Sequence, residues 1–178
     1  MRSLGRYIIR RAPALNLDAS PSEAFDVFKH TRSENSQSSC FALRSRTKVK
    51  AAFIDSPLAG LRVVIKDNIH LKGTKVSQGS RAFYDTYPPQ QASAECVQRL
   101  LDKGVAIVGK TKMTSFANWE EPLEYIDYQA PWNPRGDRYQ SPGGSSSGSA
   151  AAVGAYDWLD IAIGTDSRSS GPAFLNVH

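Results

Sequence analysis

Apolar residues in this chain fall into short, sharply bounded runs separated by Gly, Pro and Ser. Residues 61–66 (LRVVIK) are a compact apolar run closed by a charge, which predicts a buried strand. Residues 92–103 (ASAECVQRLLDK) place Ala92, Cys96, Val97, Leu100 and Leu101 along one stripe, predicting a helix that Gly104 terminates. A second buried strand follows at 105–108 (VAIV), then a short helix between Lys110 and Asn118. Residues 131–148 are a long Pro-, Gly- and Ser-rich loop running into the small residues Ser149 to Ala155, which suit a tightly packed helix. Residues 158–163 (WLDIAI) close the series as another strand. Strand, helix, strand, helix in this order predicts an α/β fold with parallel pairing.

The N-terminal stretch differs. Residues 18–30 predict a short helix capped by Ser20 or Ser22, with Phe25 and Phe28 on one face. Residues 31–50 are polar and basic and read as linker, so ordered structure is expected to start near Ala51. This divides the chain into a basic arm, 1–50, and a folded part, 51–178.

Length and charge narrow the function. A chain of 178 residues with 40% hydrophobic content suits one globular domain. No apolar run approaches the roughly 20 residues of a membrane helix. The formal charge of +5 comes from residues 1–50, which hold 10 Lys/Arg against 4 Asp/Glu; the remainder holds 12 against 13. Because the body carries no basic excess, a nucleic-acid partner is not expected. The arm reads as a solvated basic segment and the compartment as cytoplasmic, with mitochondrial import left open by Arg2, Arg6, Arg10 and Arg11. Two cysteines and three histidines show no metal-ligand spacing, so neither metal nor cofactor is expected.

Residues 104–111 (GVAIVGKT) satisfy the P-loop pattern letter for letter. A phosphate cradle needs its middle residues to form a loop with inward-turned N–H groups. Here they are Val, Ala, Ile and Val, a strand-forming run, so nucleotide binding is not expected.

Three features carry chemistry: Lys66 at a strand end, the Gly-Ser run 143–148, and the Ser-rich turn 164–170. Taken singly, they read as a solvated lysine, a flexible linker and turn residues. Together they read otherwise, because glycines and serines entering a helix gather N–H and O–H donors around one point. No histidine is placed to activate a serine, whereas a lysine can do so once burial disfavours its charged form.

On residues 57–73 (PLAGLRVVIKDNIHLKG), 104–117 (GVAIVGKTKMTSFA), 141–153 (SPGGSSSGSAAAV), 163–166 (IGTD) and 172–173 (PA), the chain resembles the amidase signature family of serine hydrolases. The match runs over roughly residues 55–175, and the stretches around it look most like fungal amidase-like proteins. The resemblance implies a mixed α/β sheet with helices on both faces, of which this chain carries the N-terminal part. It also implies a Ser–cis-Ser–Lys triad. By position, Lys66 matches the catalytic lysine, Ser145 the bridging serine held by a cis peptide bond, and Ser170 the nucleophile, with Ser169 as the alternative. The N–H groups of Ser167, Arg168, Ser169 and Ser170 match the oxyanion hole. The implied reaction is hydrolysis of a small-molecule carboxamide through a serine acyl-enzyme, without cofactor.

The chain departs from the family in its nucleophile turn. Arg168 and Ser169 stand where the family has two glycines, and the arginine that follows the nucleophile is missing. Two other readings therefore stay open: a catalytically inactive remnant, and an amidotransferase-type subunit that releases ammonia from glutamine to a partner. Self-association into a homo-oligomer also stays open.

Overall fold

The computed structural model describes residues 31–32, 39–40, 53, 55–118, 125–136 and 139–166. The helix expected over 18–30 lies outside them. Within the expected linker, Thr31–Arg32 (β1) pairs antiparallel with Ser39–Cys40 (β2), Thr31 opposite Cys40.

The main sheet is parallel and three-stranded. Arg62–Lys66 (β3) lies at its centre, flanked by Ala106–Thr111 (β4) and Ile161–Ile163 (β5). All five residues of β3 are buried: the consecutive apolar Val63, Val64 and Ile65 suit a strand covered on both faces, and Arg62 and Lys66 at its ends are buried with them. β4 continues past the expected 105–108 through Gly109, Lys110 and Thr111. The helix expected from Lys110 is replaced by extended chain and a single 3-10 turn at Ser115–Ala117. The apolar core of the P-loop-like stretch is thus a strand paired to β3, which leaves no loop to cradle a phosphate.

Alternation along β3 sends side chains to both faces, and a helix covers each. On one face Val63 and Ile65 pack with Val105, Ile107 and Val97 of Glu95–Leu101 (the second helix, α2, after Arg81–Thr86, α1). On the other, Val64 and Val108 pack with Leu159 and with Ala151 and Ala152 of Ser147–Ala155 (α3). The α2 stripe is rotated from the one expected. Ala92 and Cys96 are exposed, while Ala94, Val97, Leu100 and Leu101 face the sheet. Gly104 leaves that helix at φ +80°, the left-handed turn that glycine adopts without strain.

The α1 helix, for which the sequence pattern gives no periodic signal, is six residues long and buries none of them. Its one local signal is Ser80, whose hydroxyl accepts from the Phe83 N–H as an N-cap.

Candidate active site

The Gly-Ser run is a packing device before it is anything else. The Gly148 N–H donates to the Lys112 carbonyl at 3.1 Å. A Cβ at Gly148 would lie 2.4 Å from that oxygen and 2.5 Å from the Lys112 nitrogen, so only glycine lets the start of α3 rest on the chain leaving β4. Thr111 Oγ1 and Ser149 Oγ, 2.8 Å apart, tie the helix to the strand. Ser147, fully buried, hydrogen-bonds through its hydroxyl to Tyr125 OH. A flexible linker makes none of these contacts.

This anchoring brings Ser145 to the end of β3. The Gly144–Ser145 peptide is cis, and Ser145 Oγ lies 2.6 Å from Lys66 Nζ. Lys66 is fully buried and also donates to the Thr165 carbonyl at 3.1 Å. Thr165 follows β5, so the end of the central strand that carries Lys66 meets both the chain entering α3 and the chain leaving β5. Ser146 Oγ donates to the same carbonyl at 3.2 Å and accepts the Thr165 N–H at 3.3 Å. Asn68 Nδ2 reaches Thr165 Oγ1 at 3.0 Å. Thr165 is therefore the junction of the site, a role that a threonine in a Ser-rich turn does not advertise in sequence.

Burial pushes Lys66 down from the usual 10.5 to about 8, against the opposing pull of Asp166. Its partners are two neutral oxygens, so nothing in direct contact compels the charged form. A lysine of this kind can lose its proton near neutral pH and accept one from a hydroxyl. Lys66 and Ser145 are brought together; Ser167, Arg168, Ser169 and Ser170 lie outside the described residues. Among the described residues no helix is long and apolar enough to cross a membrane.

The same burial makes stability depend on pH. Lys66 and Lys110 are each lowered to about 8, whereas burial raises Tyr125 and Tyr156 to about 12. Between about pH 8 and 10.5 the unfolded chain binds protons on both lysines that the folded chain has released, so stability rises with pH. Between about pH 10 and 12 the unfolded chain has lost tyrosine protons that the folded chain keeps, so stability falls. Thermal melts across pH 7–11.5 are expected to show maximal stability near pH 10. A melting temperature that declines steadily from pH 8 would contradict the lowering of the two buried lysines.

A parallel α/β sheet with a lysine and a cis-peptide serine joined at its strand ends defines a class of protein, and comparison with known proteins places the chain within it. The sequence profile described as Amidase matches residues 29–171, and the chain belongs to that family. It is 42% identical over 136 residues to a glutamyl-tRNA(Gln) amidotransferase subunit from Lachnoclostridium phytofermentans, covering 72% of this chain and 26% of that protein. Among solved structures it is similar to Kluyveromyces lactis allophanate hydrolase, with a TM-score of 0.58 and 30% identity over 66% of this chain and 18% of that one. K. lactis urea amidolyase gives a TM-score of 0.59 at 30% identity, covering 68% of this chain and 7% of that one. The chain spans about a quarter of the length of the curated relatives it matches.

Proposed function

We propose that this chain carries the reacting groups of a serine amidase, with Ser170 as nucleophile, Ser145 as proton relay and Lys66 as base. The observation that carries the reading is the 2.6 Å contact between buried Lys66 Nζ and the hydroxyl of Ser145. In the proposed reaction, Ser170 Oγ attacks the carboxamide carbon and its proton passes to Ser145 Oγ, which gives its own to Lys66 Nζ. Collapse of the tetrahedral adduct breaks the C–N bond. The leaving amine takes the proton back along the same path, and water then repeats the sequence on the acyl-enzyme. The N–H groups of Ser167, Arg168, Ser169 and Ser170 are proposed to hold the oxyanion, each donor contributing on the order of 3 kcal/mol.

Two further readings have specific support. Arg168 and Ser169 stand where the family has glycines, which favours an inactive remnant, because a Cβ narrows the backbone conformations open to an oxyanion hole. Relatives named as amidotransferase subunits favour release of ammonia from glutamine to a partner protein. Reaction with a fluorophosphonate probe, read by intact mass and peptide mapping, separates the first two. One adduct on Ser170, absent from the Ser170→Ala chain, supports the amidase. Labelling that persists in that variant removes Ser170 from the nucleophile position, and no labelling at all favours the remnant. Glutamine hydrolysis that rises only on adding a partner supports the third.

A further inference from the structure

The P-loop-like stretch leaves one residue unexplained. Lys110 is as deeply buried as Lys66, with 1% of its side chain exposed, yet it takes no part in the Lys66–Ser145–Thr165 cluster. Its Nζ donates to the Lys75 carbonyl at 3.1 Å and lies 3.8 Å from Asp67 Oδ1. The other carboxylate oxygen of Asp67 accepts the Ser77 N–H at 2.8 Å, the Ser77 hydroxyl at 2.9 Å and the Gln78 N–H at 2.8 Å. Asp67 is thus enclosed, 2% exposed, directly after Lys66 in the chain.

The pairing of β3 with β4 decides which lysine meets this carboxylate. Val63 lies opposite Ile107, but Val64 lies opposite Gly109, a one-residue irregularity at Val108. Continued without it, the register would set Lys66 opposite Lys110. Side chains opposite each other on parallel strands share a face, so two ammonium groups would crowd one buried site. With the extra residue, Lys110 lies opposite Ile65, and Thr111 lies opposite Lys66. Residues 65 and 67 share a face, so Lys110 is moved onto the face of Asp67, away from Lys66.

We propose that Lys110 is a positioning residue that neutralises Asp67 from the far face of the sheet, so that this carboxylate does not hold Lys66 in its charged form. An uncompensated carboxylate one residue from a buried lysine raises that lysine's pKa; paired with Lys110 it presents a nearly neutral dipole. Among the described residues, Asp166 is the charged group that pulls on Lys66, and Asp67, next in the chain, is paired with Lys110 on the other face. α3, which packs on the face of Lys66, carries no charged group. Asp166 pulls Lys66 upward on its own, so the charge of Asp67 left unmatched would add to it. Lys110 is itself lowered to about 8 by burial, and the charge of Asp67 and its hydrogen bond oppose that fall by favouring the ammonium form.

The proposal rests on reading Lys66 as a base, and its test is independent of turnover. The Lys66 13Cε resonance, assigned by its loss in Lys66→Arg, is followed by NMR across pH 6–11 in the full chain. Lys110→Met is expected to raise the Lys66 midpoint by about one unit, a roughly tenfold loss of the uncharged form at pH 7. Adding Asp67→Asn to that variant is expected to return the midpoint to the wild-type value. A midpoint unmoved by Lys110→Met, or one that stays raised in the double variant, overturns the proposal. Should Lys110→Met not fold, Asp67→Asn alone decides: it is expected to lower the midpoint, and an unchanged or raised midpoint overturns the proposal. A midpoint that moves as expected in a chain that never reacts with the fluorophosphonate would break the amidase reading and leave this coupling intact.

Discussion

Replacing Lys66 with methionine is expected to slow fluorophosphonate labelling about 1,000-fold, within the range general-base groups contribute. The physical reason is the isolation of the site. Lys66 is buried, and the hydroxyl it contacts at 2.6 Å belongs to the proposed relay residue. Without Nζ, the proton leaving the nucleophile has no acceptor beyond Ser145, whose hydroxyl is a poor terminal base. The pH profile of the wild-type chain carries the same signature. Only uncharged Lys66 accepts a proton, so the labelling rate is expected to climb about tenfold per pH unit below about 8 and to level off above it. Ser145→Ala should lose the slope together with most of the rate. A Lys66→Met chain that labels at the wild-type rate would remove lysine from the mechanism altogether.

The second large effect concerns folding, and falls on two glycines of one motif with opposite outcomes. Gly148→Ala drives a methyl group into the Lys112 backbone at 2.4 to 2.9 Å, and backbone on both sides cannot yield as a flexible side chain would. Helix α3 must then lift from β4, loosening the Thr111–Ser149 contact and the seat of Ser145. The expected cost is about 3 kcal/mol, at the upper end for overpacking, or a fall in Tm of roughly 6–12 °C. Gly143→Ala, five residues earlier, meets nothing within 4 Å and is expected to change stability by less than about 0.5 kcal/mol. Thermal or urea melts of the two variants side by side check both. Equal stability of the pair would mean that α3 does not sit on β4 as described.

The two experiments separate chemistry from scaffold. Lys66→Met removes one amine while its apolar stem can still fill the space beside β4 and β5. Gly148→Ala leaves every reacting group in the sequence and disturbs only their placement. Loss of labelling in both, with a lowered Tm in the second alone, is the pattern expected if the Gly-Ser run serves the site by packing.

What the residues settle alone is local. The run LRVVIK is a buried strand because Val63, Val64 and Ile65 are consecutive β-branched apolar residues, which suit an extended chain covered on both faces. The stretch VAIV is strand and not phosphate loop because β-branched side chains favour the extended chain, although the continuation of that strand through Lys110 and Thr111 was not legible. The small residues from Ser149 to Ala155 form a helix that packs closely because they carry little beyond Cβ, and in the structure Ser147 and Gly148 extend it at the start. The family resemblance singles out Lys66 and Ser145, and the structure sets their side chains in contact.

The relations between elements were decided only in three dimensions. The stripe on α2 has the right period but the wrong phase: Ala92 and Cys96 are as plausible on an apolar face as Ala94, and only docking against Val63 and Ile107 selects among them. Thr165 becomes the junction of the site because β5 lies beside β3, a pairing across about 100 residues that no local pattern encodes. The face taken by Lys110 turns on one extra residue in β4. Period-two alternation predicts facing only while the register is unbroken, and a single bulge inverts it for every residue that follows. Whether an irregularity forms depends on how well the side chains of both faces pack against α2 and α3 at once. That is a property of the assembled core, and it is why the partner of Asp67 could not be read from the sequence.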